Sequence, residues 1–200
     1  MKIEKTSRTP HRNAFTLIEM IGVLAVIAIL ASLLIPKIFE AINNARINNA
    51  VVSYNTVKTA CMDHYAKYGA INQTTNGAAA SAANLAAYDK LLLSEGFLDK
   101  PYASALKVGT GATVEAVAGA GSGFPGNFDL DGNGTSDTSS ASYVVEVVIT
   151  NVAFLDAQAI SDRLDGTLAP LAMITNGTKT TGRVQWNGGT SNVYIYVTHR

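Results

Sequence analysis

Cysteine is almost missing from this 200-residue chain, where Cys61 stands alone. One thiol cannot close an internal disulfide or build a cysteine-rich metal centre, so neither organises the fold. Histidine is scarce too: His11, His64 and His199 are spread along the sequence and form no cluster. Cys61 and His64 lie one helical turn apart, but no third group orients them as nucleophile and base, and packing or surface roles suit them better. Charge of one sign is also lacking. Fifteen basic and fifteen acidic side chains give a formal net charge of zero, and nothing in the balance points to nucleic acid. No phosphate-binding glycine loop appears.

Glycine and proline are absent between Lys37 and Tyr68, which leaves that stretch free to run as one helix. Within it Ile47, Val51, Tyr54, Cys61, Tyr65 and Tyr68 recur at helical spacing, with Val57 close to the same face, and Gly69 supplies the stop. Before it lies a run with almost no charge. From Phe15 to Ile35 the only ionisable residue is Glu19, and about 20 apolar helical residues cross a bilayer. Pro36 removes one helical hydrogen bond at the junction and predicts a kink there. The charge that does exist is placed at one end: residues 1–14 carry Lys2, Lys5, Arg8 and Arg12 against Glu4. Such a basic segment stays on the cytoplasmic side. The apolar run is too long for the h-region of a cleaved secretory signal, and no A-x-A cleavage site precedes Pro36.

The chain therefore divides into a basic leader over 1–14, a long helix over 15–68 that spans a membrane over 15–35, and a head over 69–200. In the head, 81–97 reads as a helix with Ser81 as N-cap and Gly96 as stop. Residues 105–127 are small and polar and read as a loose β-rich or irregular region. Residues 142–150 are β-branched and strand-like, and 156–166 read as a short helix. Two further strands, 181–186 and 192–198, flank the hairpin chemistry of "NGGTS". The expected fold is α+β: a long N-terminal helix, apolar in one half and amphipathic in the other, packed on a small antiparallel sheet.

"AFTLIEMIGVLAVIAILASLLIP" resembles the N-terminus of type IV pilins and type II secretion pseudopilins over roughly residues 8–60. Phe15, Thr16, Leu17, Ile18 and Glu19 match the family start without a gap, and Pro36 falls where many pilins carry a proline. Ala14 stands where the family usually has glycine. The resemblance implies cleavage by prepilin peptidase between Ala14 and Phe15, then methylation of Phe15. It also implies assembly with identical or related pilin subunits on a platform protein, starting from the inner membrane and ending in a cell-surface or periplasm-spanning filament. On this reading the chain is a structural subunit and not an enzyme. A type II secretion pseudopilin is one alternative, and a single-pass membrane-anchored binding protein is another of a different class.

Cleavage would place a cationic amine on Phe15, four residues from Glu19. In parallel helices offset by about one turn, the amine of one meets the Glu19 carboxylate of the next, and the pair offsets the desolvation of both charges. Self-pairing with its own Phe15 amine, or snorkelling to the interface, are the plainer readings of Glu19.

"DLDGNGTSD" carries chemistry of its own. Asp129, Asp131, Asn133 and Asp137 take positions 1, 3, 5 and 9 of a calcium-loop pattern, with Gly134 at the sharp turn and the Thr135 carbonyl at position 7. Hard oxygen ligands in alternation suit Ca²⁺. Position 12 is Ser140, so the usual bidentate glutamate is missing, and a solvated turn is the simpler alternative.

Overall fold

The computed structural model describes residues 15–75, 77–102, 108–120, 123–141, 143–166 and 177–200. Contacts divide the chain into two compact units, Met1–Asn43 and Asn44–Arg200. Helix α1, Leu17–Tyr68, contributes to both: its 52 residues continue through Pro36, whose ring offers no backbone donor to the preceding turn.

In the first unit every large apolar side chain from Phe15 to Ile42 is exposed, by 43 to 82 %. Burying one such side chain is worth about 1.5–3 kcal/mol. Leaving the whole set in water would outweigh the roughly 5–15 kcal/mol of net stability a domain has. A helix of this composition needs an apolar surrounding.

In the second unit, α1 buries Ile47, Ala50, Tyr54, Val57, Cys61 and His64, together with Ala60. The first six are separated alternately by three and four residues, which puts them on one stripe. Val51, Tyr65 and Tyr68, expected on that stripe, are only half-buried at its margin. The stripe joins the core formed by two short helices and the sheet. Helices α2 (Ala82–Leu85) and α3 (Tyr88–Ser94) replace the single helix expected over 81–97. Ser81 caps the first by accepting the Asn84 N–H, as its sequence position suggests. The chain breaks at Ala87, whose φ of −139° and ψ of 59° are not helical. The break sets Tyr88, 0 % exposed, inside the core, where its hydroxyl reaches His64 Nδ1 at 3.0 Å and the Ile71 carbonyl at 3.1 Å.

The sheet has five antiparallel strands in the order β1-β2-β5-β4-β3. They are β1 (Gly111–Val117), β2 (Val144–Thr150), β3 (Thr178–Lys179), β4 (Val184–Asn187) and β5 (Asn192–His199), with helix α4 (Phe154–Leu164) between β2 and β3. The β4–β5 hairpin and the β2 strand follow the sequence expectation, and α4 begins two residues earlier than expected. The region read as loose, 105–127, supplies edge strand β1; its residues 105–107 and 121–122 lie outside the described residues.

Alternation along a strand sends successive side chains to opposite faces. Val145, Val147 and Ile149 of β2 join the main core with Val193, Ile195 and Val197 of β5. The other face is covered by the segment after β1. There Phe124 stacks on Tyr194 with ring centroids 4.8 Å apart, and Phe128 meets the Tyr196 ring edge-on at 5.5 Å. With both faces covered, six of the seven residues of β2 are buried.

Candidate functional site

Two places carry chemistry. The first is the start of α1. Thr16 takes the N-cap position and Glu19 the third residue of the helix, a capping-box arrangement. Glu19 Oε2 accepts from the Thr16 backbone N–H and from the Thr16 hydroxyl, both at 2.8 Å, and the Glu19 N–H donates to Thr16 Oγ1 at 3.3 Å. The T-x-x-E pattern of this cap stands in the sequence, and it gives Glu19 a local role that the expected pairing with a Phe15 amine does not include. Phe15 is 82 % exposed beside it. Ala14 and the basic leader lie outside the described residues.

The second is the loop after Phe128. Carboxylate oxygens of Asp129, Asp131 and Asp137 lie within 4.8 Å of one another. Asp129 is the organiser. Its Oδ1 accepts from the N–H groups of Gly132 at 2.8 Å and Asn133 at 3.1 Å, and its Oδ2 from Gly134 at 2.9 Å. Asp137 Oδ2 accepts from Leu130 at 2.6 Å and Asp131 at 3.3 Å. Gly132 and Gly134 have φ of +79° and +88°, a region closed to most side chains, and this lets the chain wrap around Asp129. Asn133 is engaged within the loop: its amide donates to Asp131 Oδ2 at 2.8 Å, and its Oδ1 accepts from the Thr135 N–H at 2.8 Å and from the Thr135 hydroxyl. An ionised carboxylate offers about four lone-pair sites, so the bonds to backbone leave acceptor capacity on all three aspartates. Three converging carboxylates on one turn are a group that could hold a metal ion.

The loop is tied to the sheet at one end. Asp129 bridges Thr181 in parallel, and the Gly182 N–H donates to the Asp129 carbonyl at 2.7 Å. Gly182 is required there: at φ +86°, a Cβ would stand 2.6 Å from Asp165 Oδ2. Asp165 in turn pairs with Lys179 Nζ at 3.0 Å and accepts the N–H groups of Arg183 at 2.8 Å and Val184 at 3.0 Å. Lys179 also donates to Ser161 Oγ at 2.8 Å.

Cys61 and His64 both lie in the core, and burial pushes the Cys61 thiol pKa well above its ordinary value. His64 makes contact with Tyr88 and, through Nε2 at 3.3 Å, with Glu95. Both ring nitrogens of His64 are directed at core partners, which gives the residue a packing role.

A helix whose large apolar side chains are all on the surface as far as Ile42, capped at its first turn by Thr16 and Glu19, has the length and composition of a membrane anchor. Residues 9–35 match the family model described as the prokaryotic N-terminal methylation motif. The chain thus carries the prepilin-type cleavage and methylation segment of type IV pilins and pseudopilins, the type of segment prepilin peptidase processes. No curated protein and no solved structure matches the chain.

Proposed function

We propose that this chain is a structural subunit of a type IV pilus or a related filament. Prepilin peptidase removes residues 1–14, Phe15 is methylated, and the exposed half of α1 holds the subunit in the inner membrane. It then packs against α1 of other subunits on an assembly platform. The observation that carries this reading is the match to the methylation motif over residues 9–35, whose apolar run from Phe15 to Ile35 has Glu19 as its one ionisable residue. The new amine of Phe15 pairs with Glu19 of a neighbour. The capping bonds to Thr16 all fall on Oε2 and survive cleavage, so Oε1 can receive that amine.

A pseudopilin of a type II secretion system is the second reading. The convergence of Asp129, Asp131 and Asp137 favours it, because the pseudopilin resemblance implies a calcium loop in the head. Asp129, Asp131 and Asp137, with Asn133 and the Thr135 carbonyl, would hold Ca²⁺. The ion would neutralise three adjacent carboxylates and stiffen the loop.

Mass spectrometry of chain recovered from sheared filaments tests the main reading. The expected species starts at Phe15 with one added methyl group. Filaments containing the intact leader would overturn it, and a chain starting at Met1 found only in the membrane fraction would support a simple anchor.

A further inference from the structure

Glu146 lies in the middle of β2 and is 0 % exposed. A carboxyl buried this completely needs a partner for each oxygen. Its Oε2 accepts the Gly126 N–H at 3.0 Å, while Oε1 is buried with no protein donor. The residue facing it across the β1–β2 ladder is Glu115, a second carboxyl. Two carboxylates cannot both stay ionised at such close quarters in a low-dielectric site, whereas one proton placed between them satisfies the orphan oxygen.

We propose that Glu146 holds its proton on Oε1, directed at Glu115, and acts as a latch that fastens the covering segment, residues 123–137, to the outer face of the sheet, and that the latch opens in alkaline solution. With the proton on Oε1, Glu146 donates to Glu115 and presents a neutral carbonyl oxygen to Gly126. From Gly126 a line of hydrogen bonds runs outward. The Gly126 carbonyl accepts from Thr138 Oγ1 at 2.8 Å, and that same Oγ1 accepts the Phe128 N–H at 2.9 Å. The Phe128 carbonyl accepts the Asp137 N–H at 2.8 Å, and Asp137 holds Leu130. The latch therefore anchors the acidic loop without contacting its carboxylates.

Among the described residues, no basic group acts on Glu146. Burial raises the Glu146 pKa most, the Gly126 N–H opposes it, and the like charge of Glu115 adds to the rise. From β5 the neighbour in register is Tyr196, whose hydroxyl is bonded to His199 Nδ1 at 2.7 Å. Arg183, Arg200 and Asp137 act on that tyrosine hydroxyl. From the covering segment the facing group is the Gly126 amide. When that proton leaves, a buried negative charge on Glu146 faces the half-buried Glu115 across the ladder, and lifting the segment to admit water relieves it.

Hydrogen exchange on the full chain in detergent micelles, with chelator present, reads the latch independently of any cation. At pH 6.5 the amides of Gly126 and Phe128 should be protected. At pH 9.5, after correction for base-catalysed intrinsic exchange, their protection should fall at least tenfold. Glu146→Gln keeps an acceptor for Gly126 and gains a donor for Glu115, so it should stay protected at both pH values. Glu115→Gln removes the like charge and should do the same. The Glu146 carboxyl carbon, followed by NMR, should titrate above the ordinary carboxylate range. Unchanged wild-type protection, pH-dependent loss of protection in the folded glutamine variants equal to that of wild type, or an ordinary Glu146 titration would each overturn the proposal.

Discussion

Glu19 and Thr16 are joined twice through a single oxygen: Glu19 Oε2 accepts the Thr16 N–H and the Thr16 hydroxyl, both at 2.8 Å. A charge that costs on the order of a few kcal/mol inside a membrane thus has a local role, closing the first turn of α1. The local role and the proposed role between subunits separate by substitution. Glu19→Gln retains the cap, because glutamine serves in a capping box, but loses the charge. It should be inserted and cleaved, yet fail to enter filaments. Thr16→Ala weakens the cap by about 1 kcal/mol and should still assemble. Filament yield measured on sheared cells decides, and normal yield from Glu19→Gln would confine Glu19 to capping.

The acidic loop predicts a cation-dependent stability. Extracellular calcium modules bind at about 10⁻⁴ to 10⁻³ M, and a loop without the glutamate at position 12 belongs in that range. At 10 mM Ca²⁺ the mass-action gain is about 1–3 kcal/mol, and each kcal/mol shifts a domain of this size by about 2–4 °C. The full chain in micelles should melt several degrees higher in calcium than in chelator. Asp129→Ala should abolish the difference, while Asp63→Ala, exposed on α1, should keep it. An unmoved wild-type melting temperature would leave the loop a polar turn.

Lys179 and Asp165 form a buried pair, 4 % and 2 % exposed at their side chains. Removing one member of such a pair costs about 3–5 kcal/mol, since the other stays buried and uncompensated. Lys179→Met leaves Asp165 with the N–H groups of Arg183 and Val184, and belongs at the lower end. Asp165→Ala leaves the ammonium with Ser161 as its acceptor and no counter-charge from position 165, and removes the acceptor of both amides, so it should be the more damaging. Chemical denaturation of the two variants gives the order, and the reverse order would refute this account.

His64 predicts a loss of stability in acid. Burial, opposed in part by Glu95, holds its pKa below the ordinary value, and Lys67 adds to the lowering. A depressed histidine pKa means that the unfolded chain takes up the proton first. The contribution of His64 is therefore fully present above about pH 6.5 and is lost as pH falls through the folded value. Glu146 works in the opposite sense at higher pH, so the comparison must be made against a variant. The difference in melting temperature between pH 7 and pH 5 should be smaller in His64→Gln than in wild type. Equal differences would remove His64 from the acid response.

What could be read from the sequence was what depends on local pattern. The apolar run, the glycine stop of α1 and the β4–β5 turn need only neighbours in the chain, and the structure has them where the pattern puts them. The convergence of the acidic loop was equally legible, since its three carboxylates lie within nine residues. The face of α1 was read less well. Ala50 and His64 lie on the buried stripe, but alanine is ambiguous, and burying His64 depends on Tyr88 and Glu95, which arrive from another helix. Glu146 was hidden for a similar reason. A glutamate inside a β-branched strand reads as an outward residue until a second layer, the segment after β1, covers that face.

The strand made last among the five, β5, lies third in the sheet, with β2 on one side and β4 on the other. Until residues 192–199 take their place, β1–β2 and β3–β4 are two separate ribbons with no ladder between them. An isolated two-stranded ribbon is marginal in water. Under the proposed reading, the anchor is synthesised first and the head is threaded across a membrane behind it. The order of the strands then acts as a timer: the polypeptide stays slack enough to be exported, and the sheet closes only when its final strand has come through.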